Sequence, residues 1–172
     1  MSNNGPYITK NIPKLSPQLT RALPSLNEQM KFVSELVNTS ADDLDSLNTA
    51  ALLMESFSNY AAVELLYKKA LHVDNDDPRT LNNYALFLER YRQDYDQAEC
   101  LYKRAIELKN DYIDAMSNYA LLLKKVRKDI NGAEHYYRKI LEVDPKNVAV
   151  LNYLGTLLGQ HKQDIEGIQY YY

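Results

Sequence analysis

The chain has 172 residues, 25% of them charged, with a formal net charge of −3. That length suits one compact domain, or a short repeat array with an arm, folding as one cooperative unit. The small, evenly mixed charge excludes recognition of nucleic acid or an anionic membrane by bulk electrostatics. The single cysteine, Cys100, excludes an internal disulfide or a cysteine-based metal site.

Residues 1–24 are polar and are punctuated by Pro6, Pro13, Pro17 and Pro24. Proline removes an amide donor and pushes the residue before it out of the helical region, so a disordered Pro/Asn/Ser-rich arm is expected. No basic segment leads into a long apolar run, so neither a secretory signal nor a membrane anchor is expected, and no later stretch is apolar enough to span a bilayer. A cytoplasmic location, with the nucleus as the alternative, is therefore expected. The pattern changes over 25–39. Ser25 and Glu28 have capping-box spacing, and Leu26, Met30, Val33 and Val37 recur at helical intervals. This predicts one amphipathic helix over 26–38, packed as a cap on the chain beyond Ser40.

From Ser40 to residue 172 the dominant signal is internal repetition with a period of 35 residues. Ala50, Ala85, Ala120 and Gly155 form one ladder, and Leu53, Leu88, Leu123 and Leu158 a second. Asn59, Asp94, Asp129 and Asp164 form a third, Tyr67, Tyr102, Tyr137 and Tyr172 a fourth, and Ala70, Ala105 and Ile140 a fifth. A small residue followed three positions later by leucine marks the face of a first helix where a neighbour approaches closely. Asn or Asp marks the start of a second helix, because its side-chain oxygen can accept from the orphaned amides of the first turn. The tyrosine two turns on is expected to bury its ring while its hydroxyl reaches the edge. First helices are therefore predicted near 43–57, 79–91, 113–126 and 147–160, and second helices near 60–73, 95–109, 130–143 and 165–172. The repeats fall at about 42–75, 76–110, 111–145 and 146–172, the last incomplete.

These stretches resemble the tetratricopeptide repeat family. Asn83-Tyr84-Ala85-Leu86-Phe87-Leu88 with Ala98-Glu99-Cys100-Leu101-Tyr102-Lys103-Arg104-Ala105 carries the likeness best. Asn118-Tyr119-Ala120 with Ala133-Glu134-His135-Tyr136-Tyr137, then Asn152-Tyr153-Leu154-Gly155 and Asp144-Pro145, extend it over about residues 42–172. The resemblance implies an all-α, right-handed α-solenoid of about four helix-turn-helix repeats. The family norm is one residue shorter, and the extra residue falls near Arg92-Gln93-Asp94 and Arg127-Lys128-Asp129. No tryptophan is present; its place early in the first helix is taken by Leu81, Met116 or Leu151, and in the first copy by Ser46. A related half-repeat family of RNA-processing scaffolds uses a similar second helix but leans on tryptophan.

In proteins of this family the first helices line a groove that holds a partner's extended segment or helix. The resemblance therefore places Asn48, Arg79, Asn82, Asn83, Leu86, Arg90, Asn118, Leu121, Lys124, Lys125 and Asn152 along a peptide-binding groove. A side-chain amide both donates and accepts, so a row of asparagines can satisfy an extended backbone whatever its sequence. The same asparagines can instead hold adjacent hairpins together. Arg90, Lys124 and Lys125 can read an acidic partner or a C-terminal carboxylate, or stand as a solvated face. Chaperone-binding members place basic residues near the start of the third first helix, where this chain has Asp114 and Ser117, which disfavours a chaperone-tail function. Tyr84 and Tyr119, like Met54 and Met116, read as core.

Nothing points to catalysis, so the chain is expected not to be an enzyme. His72, His135 and His161 do not recur at the repeat interval, and Cys100 is expected to be a small buried thiol. No phosphate loop, metal-spaced pair or nucleophile elbow appears, so no cofactor, metal or small-molecule substrate is expected. The expected function is a non-catalytic scaffold that binds another protein or peptide. The alternative is a homo-oligomer assembled through an uncapped C-terminal edge at Tyr170-Tyr171-Tyr172. An RNA-processing scaffold is a third reading, and no nucleic acid or membrane partner is expected.

Overall fold

In the computed structural model the described residues are 25–38, 43–156 and 159. They form α1 (Leu26–Asn38), α2 (Leu44–Ser56), α3 (Tyr60–Val73), α4 (Pro78–Phe87), α5 (Tyr95–Leu108), α6 (Ile113–Leu122) and α7 (Ile130–Val143), followed by α8 over 148–156. Among the described residues there is no strand. This is an all-α helical-repeat fold. The chain divides into two compact units, Met1–Gln93 and Asp94–Tyr172. The final helix expected over 165–172 and the tyrosines Tyr170 to Tyr172 lie outside the described residues.

The elements begin where the local chemistry says they should. Ser25 and Glu28 form a reciprocal capping box: the Ser25 amide donates to Glu28 Oε2 at 2.6 Å and the Glu28 amide to Ser25 Oγ at 3.3 Å. Asn59, Asp94 and Asp129 each accept from the amide three residues on, opening α3, α5 and α7. Asp77 caps α4, with Pro78 in the first position, where a missing amide costs nothing. The core follows the repeat: Tyr67, Tyr102 and Tyr137, and Ala70, Ala105 and Ile140, are all buried. The Tyr67 and Tyr137 hydroxyls do not reach the edge as expected; both are enclosed without a hydrogen-bond partner. Burial accordingly pushes both phenols well above their ordinary range.

The extra residue enters at the end of the first helices. α4 and α6 each run into a π-helical turn, Leu88–Arg92 and Leu123–Arg127. There the amides of Gln93 and Lys128 donate five residues back, to Leu88 and Leu123. α2 instead closes in an ordinary Schellman turn, with Ser58 donating to Glu55 and Asn59 to Met54, both at 2.9 Å. All three turns are completed by a non-glycine residue in the left-handed region, Ser58, Gln93 and Lys128, at φ 58°, 55° and 59°.

The first repeat therefore lacks the inserted residue, and this corrects the alignment of its first helix. The caps Asp43 and Asp77 are 34 residues apart, while Tyr112 and Asn147 follow at 35. Burial obeys the same shift. Leu47 matches Leu81 and Met116, Ala51 matches Ala85 and Ala120, and Met54 matches Leu88 and Leu123, and all are buried. Ser46, expected in the large-residue position, is exposed. An Ala-Ala pair at 50 and 51 and a Leu-Leu-Met run at 52–54 let the 35-residue ladder slip by one there unnoticed.

Candidate functional site

α4 presents Arg79, Asn83, Leu86 and Arg90 at separations of four, three and four residues, which places them along one helical stripe. Asn83, Leu86 and Arg90 are half-buried and Arg79 is exposed. The upper part of the stripe is anchored by a polar chain within the first unit. Asn48, 2% exposed, donates from Nδ2 to the Leu44 carbonyl at 2.8 Å and to Thr80 Oγ1 at 2.7 Å. Thr80 in turn donates to the Asp77 cap. Asn83 Nδ2 donates to Asn48 Oδ1 at 3.3 Å, and Asn82 Nδ2 to Asn83 Oδ1 at 3.4 Å. Arg79 forms an ion pair with Asp45.

The asparagines differ in their surroundings. Asn48 is a clasp between adjacent first helices, working through side chains of the next helix and not its backbone. Asn82 is buried as well. Asn83 keeps part of its surface, and its described bonds use one donor and one acceptor of an amide that has two of each.

At the other end of the stripe, the π-turn brings Arg90 and Tyr91 to α2 and α3. Tyr91 stacks on Tyr60 with ring centroids 4.4 Å apart and donates to Glu55 Oε1 at 2.9 Å. Burial first, then the Glu55 carboxylate, pushes the Tyr91 phenol up to about 12. Arg90 Nη1 stands 3.8 Å from Glu55 Oε1, a longer separation than a directly bonded pair. Arg92 turns back to Glu64, which also holds Lys68.

In the second unit, α6 carries the corresponding Asp114, Asn118, Leu121 and Lys125. Here Asn118 and Leu121 are buried, as is Ser117, while Lys124 is half-buried and Lys125 exposed. Asn152, on α8, is exposed. The reachable surface on α6 is thus narrower than the sequence suggests and is mainly lysine. Beneath it, Arg127 donates to Glu99 at 2.8 Å and pairs with Asp96. Lys103 pairs with Glu99 at 2.8 Å, and the Tyr119 hydroxyl donates to the same carboxylate at 3.0 Å. Burial pushes the Glu99 carboxyl up, but the bonds from Lys103, Arg127 and Tyr119 outweigh it and hold it down at about 2.

The triads Glu64-Lys68-Arg92 and Glu99-Lys103-Arg127 escape a sequence reading aimed at ligand-binding residues, although their members are 35 residues apart and so are legible as ladders. Each ties the end of a first helix to the second helix of the preceding repeat, within one unit. Cys100 is exposed, contrary to expectation. It follows Ala98 by two residues, about 200° around α5, and so lies off the face that buries Ala98, Tyr102 and Ala105. Among the described residues, no group of three or more His, Cys, Asp or Glu is placed to hold a metal, and no helix is long and apolar enough to cross a membrane. Tyr84 and Tyr119 are core residues, their rings 5.6 and 6.3 Å from those of Tyr67 and Tyr102.

No protein-family model matches the chain. Nor does any curated protein sequence. Solved structures do. The first tetratricopeptide domain of Spaghetti (RPAP3) bound to the HSP90 peptide SRMEEVD aligns with a TM-score of 0.63 at 20% identity, over 72% of this chain and 96% of that one. The Sgt2 tetratricopeptide domain from Aspergillus fumigatus aligns at 0.64 and 22% identity, over 73% and 83%. The second such domain of human RPAP3, in complex with the HSP70 peptide SGPTIEEVD, aligns at 0.57 and 20% identity, over 65% and 92%. Identity at this level speaks to architecture, and together with the helix pairs, caps and buried ladders it identifies the chain as having the tetratricopeptide-repeat fold.

Proposed function

We propose that the chain is a non-catalytic interaction scaffold that takes an extended or helical segment of another protein along the α4 stripe. The observation that carries this is the stripe itself: Arg79, Asn83, Leu86 and Arg90 lie in line, each at least partly exposed. Leu86 offers apolar contact, Asn83 can bond a passing backbone, and the two arginines can meet acidic groups.

Two neighbours of the fold are complexes with HSP90 and HSP70 peptides, which supports peptide capture as a use of this architecture. The chaperone tail itself is disfavoured here, because α6 begins with Asp114 where the resemblance implies basic residues. A peptide array probed with the wild-type chain and with Asn83→Ala and Leu86→Glu tests the reading. Peptides retained by the wild type and lost by both variants, with thermal unfolding intact, are expected. Equal retention by folded variants would move the binding surface off α4.

A further inference from the structure

α1 leans on α2 and α3 but leaves an open cavity of about 450 Å³, walled by Phe32 of α1 and by Asp45, Ser46, Thr49, Ala50 and Leu53 of α2. This is not the face of α2 that carries Asn48 and Glu55. By the 34-residue register between α2 and α4, Ser46, Thr49, Ala50 and Leu53 correspond to Thr80, Asn83, Tyr84 and Phe87. On α4 that face meets the preceding hairpin: Thr80 and Asn83 bond Asn48, and the Tyr84 and Phe87 rings lie 5.6 and 6.3 Å from Tyr67. On α2 the matching residues are smaller, and Phe32, 45% exposed, borders the opening. The face is shaped to receive a preceding piece of chain.

We propose that residues 15–23 of this same chain, which lie outside the described part, occupy the cavity. Three observations favour this occupant. The segment enters α1 directly, and Phe32 is only about 10 Å along the helix from Ser25, whereas ten extended residues reach roughly 33 Å. Leu19 and Leu23 are four residues apart, so one helical face would present both, with Leu15 just ahead of Ser16-Pro17 as a start signal and Pro24 as a stop. Residues 1–24 carry Lys10, Lys14 and Arg21 and no acidic residue. Asp45 lines the cavity and pairs with Arg79, and Asp43 caps the same end of α2, so these three side chains together carry a net negative charge. The basic segment therefore complements the rim, and its leucines complement Leu53 and Phe32. The docking meets the α4 stripe only at Arg79, through its pair with Asp45, and does not involve Asn83 or Leu86.

The chain contains no tryptophan, so Phe32→Trp makes a unique fluorophore at the cavity mouth. Its emission and acrylamide quenching are compared in the full chain with and without Leu15→Asp/Leu19→Asp. A red shift and faster quenching on adding the aspartates, independent of protein concentration, is the expected result. Identical spectra and quenching in the two chains would overturn the proposal. A difference that vanishes on dilution would also overturn it, by assigning the cavity to a second copy. Hydrogen exchange of the otherwise unaltered chain, with and without the two aspartates, gives a readout free of the tryptophan. Faster exchange along Ser46–Leu53 in the double variant is expected, and unchanged exchange would count against the docking.

Discussion

Replacing Asn48 with alanine tests the clasp apart from the proposed ligand surface. The amide makes two short bonds, 2.8 Å to the Leu44 carbonyl and 2.7 Å to Thr80, and accepts a third from Asn83 at 3.3 Å. At about 1 kcal/mol net for each short bond, and less for the long one, plus a small cavity, the loss is about 2–3 kcal/mol. Asn83→Ala removes the long bond at a half-buried position that water can reach, so its loss is below about 1 kcal/mol. The double variant should fall short of additivity by no more than the shared bond, about 0.5–1 kcal/mol. Urea unfolding followed by circular dichroism measures all three, and an unchanged m-value would show that the unfolded state is not the cause. Equal losses for the two single variants, or a loss below about 0.5 kcal/mol for Asn48→Ala, would refute the division of labour between them.

Three further outcomes are expected from the same geometry. Lys128 is exposed and sits in the left-handed region at φ 59°, so Lys128→Gly should raise stability by about 0.5–1 kcal/mol after the entropic cost of glycine, and a lower unfolding midpoint would contradict the strained-turn account. Glu99, held down from 4.5 to about 2, contributes stability that is complete above about pH 4.5 and lost as pH falls toward 2, by about 1 kcal/mol once solvent screening is allowed for. Glu99→Gln should remove that acid-dependent loss, and an unaltered acid-unfolding curve would exclude it. A Cβ at Gly132 would press on the Asp129 cap, yet Ala62 and Gln97 hold the same place beside Asn59 and Asp94. The carboxylate can therefore turn aside, and Gly132→Ala should gain about 0.5–1 kcal/mol from helix propensity; thermal unfolding at a lower temperature would show that the cap cannot yield.

The repeat was legible because side chains that meet the same neighbour in each copy recur at a fixed interval. Asn59, Asp94 and Asp129 announced their caps, and Tyr67, Tyr102 and Tyr137 their burial. Ser25 and Glu28 announced α1, whose bounds match the expectation. What failed was the register of the first copy. Paired small and paired apolar residues at 50–54 fit two alignments, and only burial of Leu47, Ala51 and Met54 separates them. The site was half legible: spacing put Arg79, Asn83, Leu86 and Arg90 on one stripe, but spacing carries no information on how closely a neighbouring helix covers it. Asn48, Asn82, Asn118 and Leu121 fell on the covered side. Residue type points Cys100 to the core, but its angle from Ala98 on α5 sets it on the exposed side.

The most direct test of the α4 stripe is residue-resolved: amide shifts of the labelled chain, titrated with a peptide selected by its own array. The largest changes are expected at Arg79, Asn83, Leu86 and Arg90. Changes confined to α3, α5 and α7, with α4 undisturbed at saturating peptide, would contradict the reading.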